Sequence, residues 1–194
     1  MRVLLGVTGG IAAYKAADLV SRLVKSGHQV RVVMTPSATH FVGPLTFEAM
    51  SGHSVLVDAL AEGSAGGALS AVEHIEWAKW AEIAVVAPLT ASTLGKLACG
   101  IADNALTTVW LALPASVPQL LCPAMNTQMW SHPIVARNLR WLEEAGRFTV
   151  VPPVDKRLAC GDVGVGGLAD TADIATAVEA AAAQIQLPYA GPRR

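Results

Sequence analysis

Short apolar runs alternate with segments of helical periodicity along most of the chain. The first run, residues 3–7, contains no polar position, which is typical of a strand buried on both faces of a parallel sheet. Residues 11–26 carry apolar side chains at helical spacing, and Gly27 is suited to end that helix. A second buried strand is predicted at residues 30–34. The chain therefore begins with a β-α-β unit, whose connection should be a right-handed crossover.

The same alternation returns after residue 73. Further strands are predicted at residues 83–87, where Pro88 stops the strand, at 119–122 and at 149–151. Further helices are predicted at residues 74–81, at a segment with Leu94, Leu97, Cys99 and Ile101 near one face, at 133–145 before Gly146, and from Thr171 to 185. This order predicts a single-domain Rossmann-like (flavodoxin-like) α/β fold, a mostly parallel sheet with helices on both faces.

Chain length and composition limit the kind of protein. A chain of 194 residues is long enough for one domain, here residues 1–186, followed by a short tail at 187–194. With 53% hydrophobic and 15% charged residues, the composition excludes general disorder. One segment, residues 59–71, is rich in Ala, Gly and Ser without any period, so we expect a mobile surface loop there.

The net charge and the hydropathy of the chain limit the classes of partner that it can bind. Fourteen basic and fifteen acidic residues give a formal net charge of −1, which lacks the basic excess of a nucleic-acid-binding protein. No apolar run approaches the roughly 20 residues that a membrane span requires. We therefore expect a soluble protein that binds neither nucleic acid nor membrane.

The cysteines indicate a reducing compartment. Cys99, Cys122 and Cys160 are an odd number, are widely spaced and form no CxxC pair, which argues against a disulfide framework or a zinc site. We expect no bound metal. The first apolar run is also too short for the core of a signal peptide, and both observations predict a cytoplasmic protein.

A glycine turn follows the first predicted strand. Glycines in Thr8-Gly9-Gly10-Ile11 let the backbone approach an anion, and the helix that follows adds free N–H groups. The turn lacks the GxGxxG pattern, and the second strand ends at Thr35 and Ser37 without the acidic residue that would bind an adenosine ribose. These features favour a mononucleotide such as FMN over a dinucleotide, although a glycine turn also serves the fold alone.

Two more strand ends are followed by unusual residues. Residues 90–93 are small or hydroxylated, which suits a ligand but also suits an ordinary helix N-cap. Residues 123–130, PAMNTQMW, combine an amide, two thioethers and an indole. Met and Trp at such spacing are more often core residues. The interpretation of this segment as a ligand site therefore depends on Asn126, whose amide suits a carboxylate or amide ligand.

Two further side chains are candidates for chemistry. His74 stands at the start of a short predicted helix, where a histidine is by default a capping or surface group. Cys160 lies in the glycine-rich segment 157–167, predicted as a loop that can fold over a ligand. A cysteine there is a candidate acid or redox group, whereas Cys99 and Cys122 fall within predicted elements as ordinary small core residues.

Five segments together resemble the homo-oligomeric flavin-containing cysteine decarboxylases. They are residues 6–13 (GVTGGIAA), 74–75 (HI), 87–93 (APLTAST), 123–130 (PAMNTQMW) and 157–162 (RLACGD). Within that family the chain is most similar to the branch that converts 4′-phosphopantothenoylcysteine to 4′-phosphopantetheine in coenzyme A synthesis, because the peptide-tailoring branch generally lacks the loop cysteine. The implied activity is FMN-dependent decarboxylation of an N-acylated cysteine.

The resemblance also implies roles for individual residues. Contacts to FMN would fall on Gly9, Gly10, Ile11, Thr35, Ser37, Thr90, Ala91, Ser92, Thr93 and Ala124. His74 would be the catalytic histidine, which positions or deprotonates the substrate thiol, and Cys160 would be the proton donor. Asn126 would hold the substrate carboxylate, with Met129 and Ala159 beside it. The implied assembly is a homotrimer or a multiple of trimers, up to a dodecamer, in which the flavin lies between subunits.

The chain departs from the family pattern at three points. Ser92 replaces the usual asparagine, Leu168 replaces the usual methionine, and the ligase domain fused to many bacterial members does not follow. These departures keep open a peptidyl-cysteine decarboxylase that stops at a C-terminal aminoenethiol. Two further hypotheses are a flavin-binding regulatory subunit without turnover and a protein similar to flavin prenyltransferases.

Overall fold

The computed structural model describes residues 1–57, 73–157, 161 and 163–186. Within them, five strands form one parallel sheet in the order β2-β1-β3-β4-β5. The strands are β1 Arg2–Val7, β2 Gln29–Met34, β3 Ile83–Leu89, β4 Gln119–Pro123 and β5 Phe148–Val150. The loop expected at residues 59–71 and the tail at 187–194 lie outside the described residues.

Helices cover both faces of this sheet. They are α1 Tyr14–Lys25, α2 Pro44–Ser51, α3 Glu73–Trp80, α4 Ala91–Cys99, α5 Ala105–Leu111, α6 Thr127–Trp130, α7 Pro133–Glu144 and α8 Thr171–Gln186. On one face α1 packs against α2 and α8, and on the other α3, α4, α5 and α7 contribute to a second core. The predicted Rossmann-like fold is confirmed.

The continuous apolar run of β1 follows from its burial on both sides. Val3, Leu5 and Val7 point into one core, Leu4 points into the other, and all four are completely buried. Successive side chains of a strand alternate between the faces, so a strand covered on both faces needs apolar residues at every position. The apolar sequence of β1, an interior strand of the sheet, is therefore explained.

The prediction that Pro88 ends the third strand is wrong. β3 continues to Leu89, with a cis peptide bond between Ala87 and Pro88 and a shift of register against β4. Proline has no N–H for a regular ladder, and the irregular pairing accommodates that loss. The Thr8 hydroxyl donates to the Pro88 carbonyl at 2.7 Å and accepts from the Thr90 amide at 3.0 Å, which ties the ends of β1 and β3 together.

The expected helix with Cys99 and Ile101 on its buried face is only partly correct. α4 ends at Cys99, because Gly100 adopts a left-handed φ of +69° that terminates the helix. Ile101 then lies beyond the helix and is exposed, and Cys99 is exposed rather than part of the core. Cys122 is buried as expected, and burial raises the pKa of its thiol, so it remains a neutral core group.

The glycine-rich segment 157–167 is not simply a loop. Val154–Arg157 forms β6 and Val163–Gly167 forms β7, and the two strands pair in an antiparallel hairpin. A Cβ on Gly166 would lie 2.3 Å from the Met125 carbonyl oxygen, so glycine lets β7 approach the segment before α6. The Met125 amide donates to the Gly166 carbonyl at 2.9 Å. Ala159 and Cys160, between the strands, lie outside the described residues.

Candidate active site

A pocket of about 840 Å³ opens at the carboxyl end of the parallel sheet. Loops after β1, β2 and β3 form one wall, and α6 with the β6–β7 hairpin forms the other. The sequence-predicted residues that line it are Gly9, Gly10, Ile11, Thr35, Ser37, Thr90, Ala91, Ser92, Thr93, Ala124, Asn126 and Met129. Ligands bind at this edge in open α/β sheets, and the volume suits a cofactor with a small substrate.

The first wall contains a cradle between the β1 and β2 loops. A Cβ on Gly9 would lie 2.3 Å from Ser37 Oγ and 2.8 Å from the Ser37 backbone carbon, so only glycine fits there. The Ser37 hydroxyl lies 3.1 Å from the hydroxyl of Thr35, which is buried. Close backbone approach beside paired hydroxyls suits a phosphate oxygen better than an uncharged group.

The loop after β3 continues this wall. Thr90 is the N-cap residue of α4, and its hydroxyl donates to the Thr93 hydroxyl at 3.4 Å. No side-chain cap bond forms at Thr90, so an ordinary capping motif does not account for these residues. The hydroxyls of Thr90 and Thr93 with the small side chains between them leave room for a flat ligand. The residues of this wall therefore fit FMN.

The opposite wall presents Asn126 and Met129. Asn126 caps α6, with its Oδ1 accepting a hydrogen bond of 2.8 Å from the Gln128 amide. Met129 lies on the outer part of the same short helix and is about half exposed, with a relative exposure of 46%. The capping bond fixes the amide plane at the pocket, which suits Asn126 to orient a polar substrate group.

Two lysines in the pocket were missed by the sequence reasoning. Lys15 from α1 and Lys156 from β6 both line it, and the Lys156 ammonium donates to the Leu168 carbonyl at 2.8 Å. Burial, together with the neighbouring ammonium of Lys15, lowers the pKa of Lys156 to about 8. Two adjacent ammonium groups favour an anion between them. The sequence did contain a signal for them, because each is a cation close to a predicted site segment: Lys15 follows the glycine turn in the first helix, and Lys156 directly precedes Arg157.

A third group, also missed, lies at the base of α4. Lys96 forms an ion pair of 2.7 Å with Asp103, and the Asn104 amide donates to the same carboxylate at 2.9 Å. These residues line the pocket, and the hydrogen bond from Lys96 holds the pKa of Asp103 below its usual range. Asn104 also caps α5 through a capping box with Thr107. The group therefore joins α4 to α5 beside the pocket.

Among the described residues, the predicted site residue His74 does not line the pocket, and two other predicted site residues are not described. His74 stands at the second position of α3, half-buried, and does not line the pocket. Ala159 and Cys160 lie outside the described residues. Their predicted roles, like those of the lining residues, remain predictions.

The described helices and side chains show neither a membrane span nor a metal cluster. None of the helices in residues 1–57, 73–157 and 163–186 is long and apolar enough to cross a membrane. The same parts of the chain contain no cluster of three or more His, Cys, Asp or Glu side chains that could hold a metal ion.

Residues 1–183 match the Flavoprotein family. The bifunctional coenzyme A biosynthesis protein CoaBC of Bacillus subtilis is 46% identical over 177 residues, which are 91% of this chain and 42% of that protein. The probable phosphopantothenoylcysteine decarboxylase of Streptococcus mutans is 43% identical over 178 residues, 92% of this chain and 97% of that protein. The chain thus spans about two fifths of the bifunctional relative and nearly all of the shorter one.

Solved structures agree with the sequence matches. A cysteine-to-serine mutant of PPC decarboxylase complexed with pantothenoylaminoethenethiol has a TM-score of 0.80 and 38% identity, over 92% of this chain and 96% of that one. The FMN-binding protein AtHal3 has a TM-score of 0.78 and 37% identity, over 96% of this chain and 98% of that one. The chain therefore belongs to the flavoprotein family, as the resemblance of its motifs predicts.

Proposed function

We propose that the protein is an FMN-dependent carboxy-lyase that converts 4′-phosphopantothenoylcysteine to 4′-phosphopantetheine. The observation that carries the proposal is one pocket in which the Gly9–Ser37 cradle, the amide of Asn126 and the lysine pair face a common space. The cradle would hold the phosphate of FMN, and Asn126 would hold the carboxylate that leaves as CO₂. The flavin, when bound, would supply the redox chemistry that removes electrons from the substrate thiol and later returns them.

The lysine pair supports the phosphorylated substrate over a peptide. The ammonium of Lys15 lowers the proton affinity of Lys156, and an anion placed between the two relieves the repulsion. A phosphate monoester carries close to two negative charges at neutral pH, so it suits this pair better than a neutral peptide backbone does. Asp170 is a nearby carboxylate that partly offsets the positive charge.

In this proposal His74, Asn126 and Cys160 carry out the proton transfers and hold the substrate carboxylate. A histidine with a pKa near neutrality can take the proton of the substrate thiol. Asn126 can orient the carboxylate without adding a like charge to it. Cys160 would donate a proton when the enethiol formed by decarboxylation is reduced, because a thiol is a far stronger acid than an alcohol.

A homotrimer, or a multiple of trimers, would complete the site. His74 does not line the pocket of its own chain, so a neighbouring copy is the source that could bring it there. Ile11 and Tyr14 line the pocket and yet are each 61% exposed, which leaves an apolar rim for another copy to cover. We place this assembly in the cytoplasm, with a small-molecule substrate and without nucleic-acid or membrane partners.

The alternative is a peptidyl-cysteine decarboxylase that stops at the aminoenethiol. The observation in its favour is Ser92, which lines the pocket where the family usually has asparagine. A shorter hydroxyl would contact a bound flavin differently, and the enethiol would be the product if the electrons taken from the thiol passed to an external acceptor such as oxygen instead of returning to it.

The experiment that separates them compares two substrates. FMN-loaded protein, in molar excess over the substrate so that a single turnover is complete, is incubated without oxygen with phosphopantothenoylcysteine and with a peptide ending in cysteine, and the product masses are read. We expect the first to lose only CO₂. A product two hydrogens lighter, obtained with the peptide and not with phosphopantothenoylcysteine, would establish the alternative, and no mass change with either would refute both.

A further inference from the structure

The helix that carries His74 near its N-terminus is short, and its C-terminal half is packed in the core. α3 has eight residues, and the segment before it, residues 58–72, lies outside the described residues. A helix of this length is not stable by itself, so packing determines its orientation. Trp77 and Ala78, one turn after His74, are buried in the core with Leu4.

Arg31 lies across both tryptophans of α3. Its guanidinium carbon is 4.5 Å from the ring centroid of Trp80 and 5.4 Å from that of Trp77. Arg31 belongs to β2 at the edge of the sheet and pairs in register with Leu4, which packs in the same core as Trp77. One side chain of the rigid sheet thus contacts two successive turns of the helix.

The contact uses the charge of the guanidinium. Arg31 is half-buried, and burial lowers its pKa, yet an arginine stays charged at neutral pH. None of the ion pairs within the described residues involves Arg31, so the two indole faces are its close contacts, while Glu76 of α3 attracts and Arg2 of β1 repels its charge at longer range. Partly desolvated contacts of this type are at the strong end of cation–π interactions.

We propose that Arg31 is a positioning residue for His74, holding α3 through Trp77 and Trp80 at the rotation that directs the imidazole. The inference rests on the proposed role of His74 in the decarboxylation. His74 and Trp77 are three residues apart and therefore neighbours on the same helix surface, so a rotation that frees Trp77 also moves the imidazole. A planar guanidinium across two rings resists that rotation, whereas an apolar side chain would only fill the space.

The test compares kinetic constants of FMN-loaded variants. Arg31→Met should lower kcat about tenfold, within the loss that a misplaced catalytic group causes, while KM and FMN content stay unchanged. Arg31→Lys keeps the cation without the planar stack and should recover part of kcat. Arg137→Met is the matched control, because it removes a similar contact, 4.6 Å from the Trp141 ring on α7, away from α3.

A second readout requires no substrate. The ring proton resonances of His74, identified by their loss in His74→Asn, should shift in Arg31→Met and stay in place in Arg137→Met. If Arg31→Met does not fold, Trp80→Leu replaces it, with Trp80→Phe as the variant that restores the stack.

Unchanged His74 resonances together with a kcat within twofold of wild type would overturn the inference. It would also be overturned if KM, FMN content and melting temperature changed in parallel with kcat, because that pattern indicates general loss of structure. Failure of the proposed function has a different signature, namely wild-type protein that releases no CO₂ from phosphopantothenoylcysteine.

Discussion

The two walls of the pocket are built in different ways. The wall of the proposed FMN site consists of loops that leave buried strands, and its residues Thr35 and Thr93 are themselves buried. The wall of the proposed substrate site consists of a four-residue helix and a hairpin, and Met129 there is exposed. The first wall is positioned by the core, while the second is held by a few backbone contacts such as that of Met125 with Gly166. Changes in the first should therefore affect cofactor binding, and changes in the second should affect substrate binding and turnover.

An effect on cofactor binding is expected at the first wall. Gly9→Ala places a Cβ 2.3 Å from Ser37 Oγ, and relieving such overlap should lower FMN affinity at least about tenfold. The measurement is flavin absorbance of the purified protein and titration of the apoprotein with FMN. Gly95→Ala is the control, because its Cβ would meet the nearest neighbour at an ordinary 3.7 Å. Equal FMN content in both variants would show that Gly9 does not belong to the cofactor site.

His74→Asn should separate binding from chemistry. We expect FMN to stay bound while decarboxylation falls at least about a hundredfold, the usual contribution of a general base. CO₂ release and flavin absorbance measure the two effects. His132→Asn is the control, because asparagine preserves the exposed helix cap that His132 provides for α7. A colourless His74→Asn protein would show that His74 is structural.

Cys160→Ser should separate the oxidative decarboxylation of the substrate from the later reduction of the enethiol. Serine keeps the size of the side chain but is a much weaker acid than a thiol with a pKa of roughly 8.5. We expect CO₂ release and an enethiol two hydrogens lighter than the normal product, read by mass spectrometry, with the flavin left reduced until oxygen reoxidises it. Cys99→Ser, at an exposed position outside the pocket, should give the normal product. Wild-type protein that itself yields only the enethiol would favour the peptide-tailoring alternative.

Asn126→Asp tests the second wall with a single charge. Aspartate caps α6 as well as asparagine does, so the fold should survive, but its carboxylate repels that of the substrate. We expect KM to rise about a hundredfold, since a like charge at close range costs several kcal/mol in a partly desolvated site. Gln128→Glu adds the same charge outside the pocket and should leave KM unchanged. An unchanged KM for Asn126→Asp would show that Asn126 does not contact the carboxylate.

The smallest effect concerns the lysine pair. With a pKa of about 8, Lys156 is protonated at pH 7 and loses its proton as the pH rises to 9. Positive charge in the pocket then decreases, so kcat/KM for the phosphorylated substrate should fall over this range by about threefold to tenfold. Lys156→Gln should have a lower kcat/KM at pH 7 and lack this fall, whereas Lys25→Gln should behave as wild type. The same pH dependence in Lys156→Gln would assign the titration to another group.

Local patterns in the sequence determined much of the first wall. Buried strands followed by glycine and hydroxyl residues can be predicted from the sequence, because each feature depends on neighbours within a few positions. The ligand site can then be placed at the edge of the sheet where the parallel strands end. The motif around Asn126 was recognised for the same reason. The helix cap that orients its amide is a contact between Asn126 and Gln128, two residues apart.

The tertiary structure alone decided what depends on distant parts of the chain. Lys15 and Lys156 become neighbours only because α1 and the hairpin meet at the pocket, and Ile101 lies outside the helix because Gly100 ends α4 before that position. His74 has the residue type and the motif of a catalytic group, yet its own chain does not place it in the pocket. Periodicity reports which face of an element is apolar, but the packing of elements distant in sequence determines which side chains share a site.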